Sequence, residues 1–151
     1  MRKVALDIGD VRIGIAVSDF MNIIANPRET YVRKGEEQDL DYFIKVAKEN
    51  EADTFVIGLP INMDGTEGPR VEICRAFGEK LREKSGLNVE YQDERLTTVS
   101  AERMLIEADV RRDKRKQVID KLAATIILQS YLDRMAFKNK QSGEQYNGRW
   151  K

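Results

Sequence analysis

Residues 5–19 read ALDIGDVRIGIAVSD. Two alternating apolar runs flank a Gly-Asp-Val turn, the pattern of an antiparallel hairpin. In the first run Val4, Leu6 and Ile8 share one face, and Ala5 and Asp7 share the other. In the second, Ile13, Ile15 and Val17 alternate with the small residues Gly14 and Ala16. A carboxylate inside a central strand is costly unless it is paired, hydrogen-bonded or bound to a cation. Asp7 therefore either makes turn hydrogen bonds at a strand end or marks a site. Small residues at 14 and 16 leave room for something to approach it.

The rest of the chain extends this hairpin into a sheet with helices. A third extended segment spans about 23–32, with Pro27 pointing to an edge or a bend. Residues 36–51, EEQDLDYFIKVAKENE, place Leu40, Phe43, Ile44 and Ala47 on one helical face, with acids in the first turn where the helix dipole favours them. TFVIGLP (54–60) is a continuous apolar run, as a buried central strand requires. The loop INMDGTEGP ends at Pro69, a good first helical residue, and Ile73, Phe77 and Leu81 then recur every four positions up to Gly86. NVEYQDE (88–94) reads as a strand. Thr97 or Thr98 can cap a helix carrying Ala101, Met104, Leu105 and Ala108. A last helix, about 114–136, is apolar nearly all round in VIDKLAATIILQSYL, which predicts deep packing. Residues 137–151 have no apolar period and read as a flexible tail after a single domain at 1–136. Three antiparallel strands followed by βα units predict an α/β fold with a mixed five-stranded sheet flanked by helices.

Composition excludes several chemistries. The 151 residues carry 26 Lys+Arg against 26 Asp+Glu, so any attraction for nucleic acid must come from local patches. There is no histidine, which removes imidazole-based nucleophilic catalysis and imidazole-ligated zinc. The one cysteine, Cys74, excludes an internal disulfide and a multi-cysteine metal site, and beside Ile73 it reads as a core filler. No stretch approaches the roughly 20 apolar residues of a membrane span, and a soluble cytoplasmic protein is expected.

Proton and charge handling then falls to carboxylates, lysines, tyrosines, water or metal ions. Besides Asp7, the segment DERLTT (93–98) sets Asp93 and Glu94 at the carboxyl end of a strand, where open sheets with parallel strands bind ligands. Taken alone, a surface pair of Arg95 with either acid would also account for it. Asp93 has the parity of Val89 and Tyr91, Glu94 the opposite one, and the sequence leaves open which faces Asp7. Asp120 shares a helical stripe with Ala124, Ile127 and Tyr131, an otherwise apolar setting, although a place near the helix start, favoured by the dipole and by Lys116 or Lys121, would also account for it. Hard oxygen ligands of this kind suit Mg²⁺ or Mn²⁺. Two such ions about 3.5–4 Å apart can activate water and stabilise a phosphodiester's leaving oxygen.

Four blocks, ALDIGDVRIGIAVSD, VIGLPINMDGTEGP, DERLTT and DKLAATIILQSYLD, resemble in order and spacing the bacterial YqgF family, also called RuvX. Its members are described both as Holliday junction resolvases and as nucleases processing the 5′ end of pre-16S rRNA. The resemblance spans residues 4–133 and implies a ribonuclease H-like fold whose clustered acids bind divalent metal. By motif, Asp7 is the strand-1 acid and Asp120 the last-helix acid. The strand ending in GLP lacks the carboxylate that related resolvases carry, so Asp93 or Glu94 must serve, with Glu94 the favoured ligand.

Candidate phosphate contacts are Arg12, Arg70 and Arg95, together with the cationic run Arg111, Arg112, Lys114, Arg115 and Lys116 just before the Asp120 helix. The glycines of NMDGTEG either admit a phosphate or simply make a tight turn. The expected activity is metal-dependent endonucleolysis of structured nucleic acid, with the 5′ end of pre-16S rRNA favoured over branched DNA as substrate and ribosomal particles among the partners. A monomer or weak homodimer is expected. The competing expectations are a Holliday junction resolvase and a non-catalytic RNA-binding factor for ribosome assembly. An actin-like ATPase or sugar kinase would need a second domain that about 151 residues cannot hold.

Overall fold

The computed structural model describes residues 1–98, 101, 103, 104 and 116–150, with side chains between 140 and 150 and between 116 and 120 left out of the description. Its elements are β1 (Arg2–Ile8), β2 (Arg12–Ser18), β3 (Ala25–Val32), α1 (Glu36–Glu49), β4 (Ala52–Leu59), α2 (Pro69–Ser85), β5 (Asn88–Asp93) and α3 (Lys116–Trp150). The five strands form one mixed sheet in the order β3-β2-β1-β4-β5. β2 and β3 run antiparallel to their neighbours, whereas β4 pairs parallel with both β1 and β5.

The predicted hairpin is present, with Asp7 opposite Gly14 and Ala5 opposite Ala16. Its turn closes through Gly9 N–H to the Arg12 carbonyl at 2.9 Å. A side chain at position 9 would meet that same oxygen at 2.6 Å, which is why glycine stands there. β3 is an edge strand, so Pro27 withholds no needed ladder donor. The register slips between Ile15 and Ala16, whose partners are Glu29 and Pro27, leaving Arg28 as the bulged residue.

The two faces of the sheet are built differently. Val4, Leu6, Ile13, Ile15, Phe55 and Ile57 face α1 and α2 and are fully buried with Phe43, Val71 and Leu81. The opposite face carries Ala5, Ala16, Ala25 and Val56, packed under Ala124, Ile127, Leu128 and Tyr131 of α3. Small strand residues there let a thick helix lie close to the backbone. Gln129 of α3 locks this contact. Its Oε1 accepts the Ala25 N–H at 2.9 Å, and its Nε2 donates to the Ile23 carbonyl at 2.9 Å.

Two expectations need correction. Ile73 does not share the buried stripe of Phe77 and Leu81; it is 48% exposed, and Val71 and Cys74 complete that stripe instead. A repeat of four drifts off a 3.6-residue period, and Cys74 is the position that keeps phase. The last helix does not stop at 136 but continues to Trp150. Loss of apolar period removes the packing face without breaking backbone helicity. Thr98 Oγ1 accepts the Ala101 N–H at 3.4 Å, as the predicted cap would. Leu105 and Ala108 of that predicted helix lie outside the described residues. Among the described residues, no helix is long and apolar enough to cross a membrane.

Candidate active site

The carboxyl ends of β1, β4 and β5 lie side by side, and strand parity decides what meets there. Leu6 pairs with Ile57 and Gly58 pairs with Gln92, so Asp7, Gly58 and Gln92 share the α3 face. The ladder runs one residue past β5, with Glu94 N–H bonding the Leu59 carbonyl at 3.1 Å. Glu94 is two residues beyond Gln92 and so falls on the Asp7 face. Asp93, opposite Leu59, falls on the other. The question the sequence left open is a matter of register, and register puts Glu94 with Asp7.

Electrostatics agree with this placement. Burial, then the Asp7 charge, push the Glu94 carboxyl from its ordinary 4.5 up to about 7, against a lowering by Arg70. A like-charged partner with little water around it disfavours ionising the second acid. Asp93 moves the other way. The Arg95 guanidinium lowers it by binding both carboxylate oxygens, with Nη2 to Oδ2 at 2.7 Å and Nε to Oδ1 at 3.1 Å.

Among the described residues, two cations at this end, Arg70 and Arg95, are anchored within the protein. Arg70, at the start of α2, donates to Asp10 Oδ1 (2.7 Å) and to the Ile8 carbonyl (2.9 Å). It thereby holds a positive charge beside Asp7 and Glu94. Arg95 also reaches the Asn62 carbonyl at 3.4 Å and so ties the β4–α2 loop to the β5 end. That loop is a self-braced turn: Gly65 N–H bonds Asn62 O at 2.8 Å, Asn62 N–H bonds Thr66 O at 3.0 Å, and Gly65 has φ +89°. The tight-turn account of its Asp-Gly pair is sufficient. Arg12 opens β2 and is half-buried.

Sequence reasoning passed over Arg33. Its Nη1 donates to Gly9 O at 3.1 Å and its Nε to the fully buried Asp39 carboxylate at 3.0 Å, so it pins the β1–β2 turn to α1. A lone arginine after an edge strand gives no sequence signal of this. Cys74 is buried, and burial pushes its thiol up to about 11, as a core filler should be.

The side chain of Asp120 and residues 111–115 lie outside the described residues, as does the Lys116 side chain. The backbone of α3 is described. Ile127 lies at Gly58 and Tyr131 Oη donates to Glu90, so α3 runs from the carboxyl toward the amino ends of β4 and β5. Position 120, two turns before Ile127, is therefore toward the acid pair. Among the described residues no three metal-ligating side chains cluster; Asp7 and Glu94 form a pair. A hard-oxygen donor pair with excess negative charge fits a divalent cation.

A mixed sheet of this order, with helices on both faces and acids at its centre, defines a ribonuclease H-like α/β protein. Two solved structures share the fold. The chain aligns with "T. thermophilus RuvC in complex with Holliday junction substrate" at TM-score 0.58 and 13% identity, covering 90% of this chain and 96% of that one. It aligns with "Crystal structure of Fowlpox virus resolvase and substrate Holliday junction DNA complex" at TM-score 0.56 and 12% identity, covering 89% and 99%. The family model "RuvX: Holliday junction resolvase" matches residues 1–134, and the chain belongs to this family. It is 54% identical over 138 residues to a Streptococcus thermophilus protein named "Putative pre-16S rRNA nuclease", covering 89% of this chain and 99% of that one. A Streptococcus agalactiae protein of the same name is 52% identical over 139 residues, with the same coverage.

Proposed function

We propose that this chain is a divalent-metal-dependent endonuclease that hydrolyses a phosphodiester of structured RNA, acting at the 5′ end of pre-16S rRNA. The observation that carries the reading is the acid pair itself. Asp7 and Glu94 share the α3 face at the carboxyl ends of parallel strands, and Glu94 is pushed up to about 7. The name borne by relatives of about half-identical sequence supplies the substrate.

In this reading Asp7, Glu94 and Asp120 hold Mg²⁺ or Mn²⁺, which would activate water and neutralise charge at the phosphate. Arg70, fixed by Asp10 and Ile8, sits at the mouth of the site to receive a non-bridging phosphate oxygen. Arg12 and the run Arg111, Arg112, Lys114, Arg115 and Lys116 contact the backbone further along the strand. Arg95 serves chiefly by holding the DERLTT and INMDGTEGP loops together. The enzyme works as a monomer or weak homodimer in the cytoplasm on ribosomal precursor particles. Residues 1–136 form the catalytic domain and the remainder is an appendage.

The test is cleavage of a pre-16S 5′-leader RNA and of a four-way DNA junction, with Mg²⁺ or Mn²⁺, by wild type and by Asp7→Asn, Glu94→Gln and Asp93→Asn. We expect RNA cleavage, lost by at least about 100-fold in the first two variants and kept within about tenfold in the third. Asp7→Asn cutting like wild type, or no cutting of either substrate, overturns the proposal. Cleavage of the junction alone moves the substrate to DNA.

A further inference from the structure

A glycine inside the apolar run of β4 is costly in backbone entropy and contributes no packing, so its presence calls for a reason. Gly58 sits near the carboxyl end of β4, on the α3 face, level with Asp7. A Cβ built there would lie 3.2 Å from both Cγ and Cδ of Glu94, and 2.5 Å from Cδ1 of Ile127. The space a side chain would fill at 58 is thus already taken. The Glu94 side chain, coming from the end of the neighbouring strand, occupies it from one side, and the Cδ1 tip of Ile127 closes it from the other. The Glu94 backbone is tied to β4, its N–H bonding the Leu59 carbonyl at 3.1 Å. A side chain at 58 therefore presses on Ile127 and requires the Glu94 side chain to give by a few tenths of an ångström, away from β4 and from Asp7 on the next strand.

We infer that Gly58 is the positioning residue of the site: its missing side chain is the slot through which Glu94 reaches across β4 to Asp7. The inference rests on the reading of Asp7 and Glu94 as a metal-binding pair, and it goes further by naming what makes that pair possible. It also accounts for the lack of an acid at the carboxyl end of β4. A side chain at 58 and the Glu94 side chain would crowd one volume, so the acid here comes from the end of β5 and not from β4.

The two crowded neighbours can be separated. Ile127→Val removes Cδ1 and leaves the Glu94 side chain in place. In that background, Gly58→Ala tests the slot alone, and Gly58→Asp with Glu94→Ala moves the carboxylate to β4. Mn²⁺ affinity is read by electron paramagnetic resonance of the free ion, RNA cleavage in parallel, and folding by thermal melting. Ile127→Val should bind Mn²⁺ as wild type does. Adding Gly58→Ala should weaken Mn²⁺ binding by about tenfold or more with the melting temperature close to that of Ile127→Val. Adding Gly58→Asp and Glu94→Ala should bind Mn²⁺ more tightly than Ile127→Val with Glu94→Ala alone. If Ile127→Val and its Gly58→Ala derivative bind Mn²⁺ equally well, Gly58 positions nothing. That failure is distinct from failure of the parent reading, in which wild type itself would show no Mn²⁺ binding.

Discussion

The two faces of the sheet carry opposite residue sizes. Toward α1 and α2, β1, β2 and β4 present Leu6, Ile13, Ile15, Phe55 and Ile57, all fully buried. Toward α3, the same strands present Ala5, Asp7, Gly14, Ala16 and Gly58. The first face is a packed apolar layer, where each fully buried aliphatic or aromatic side chain contributes about 1.5–3 kcal/mol. The second face gives up that volume. In return α3 comes close, and two carboxylates fit against a sheet that large neighbours would have filled. Stability is concentrated on one side and the proposed chemistry on the other, so substitutions on the two sides should fail in different ways.

The largest effect is expected on the packed face. Phe55→Ala should cost about 3–5 kcal/mol in urea unfolding while leaving cleavage per folded molecule unchanged. A comparable loss of specific activity would mean that the faces are not separable. Asp7→Asn on the opposite face should do the reverse, losing at least about 100-fold in cleavage with stability retained.

Glu94→Gln sharpens the contrast, because it should stabilise the protein. The native carboxyl sits at about 7 against an ordinary 4.5, so between those values the native state binds a proton that the unfolded chain has released. Wild-type stability therefore falls as pH rises through that window, while Gln, which mimics the protonated acid, escapes the penalty. In chelator above pH 7 the variant should be more stable by on the order of 1–3 kcal/mol, allowing for solvent screening, and the gap should close below pH 4.5. Equal stability across pH would place Glu94 in water, away from Asp7. The smallest effect is expected in the cationic run. Replacing Arg111, Arg112 and Arg115 by alanine should lower the slope of log affinity against log salt by about 0.7–0.9 for each phosphate no longer neutralised, with cleavage of bound RNA preserved. An unchanged slope would remove those residues from the interface.

Much of this arrangement was legible in the chain. Alternation in ALDIGDVRIGIAVSD separated Asp7 from the Leu6 face, Pro27 marked an edge strand, and TFVIGLP marked a strand buried on both sides. The room that Gly14 and Ala16 provide is used, but chiefly by α3, a partner about 110 residues away that local pattern cannot specify. The choice between Asp93 and Glu94 was not legible for a related reason. Parity along β5 is local, whereas which parity faces Asp7 depends on how β5 pairs with β4. Gly58 did leave a signal, as a glycine inside an apolar run, but its meaning requires the Glu94 side chain beside it. Ile73 misled because a repeat of four positions looks helical over a short span and drifts out of phase over a longer one.

The most direct test of the central claim is a crystal structure from Mn²⁺-soaked crystals, read by anomalous scattering. An anomalous peak bridging the carboxylates of Asp7 and Glu94, with Asp120 as the third ligand, is the predicted result. A peak bound by Asp93 instead, or none between Asp7 and Glu94 at saturating Mn²⁺, would contradict it.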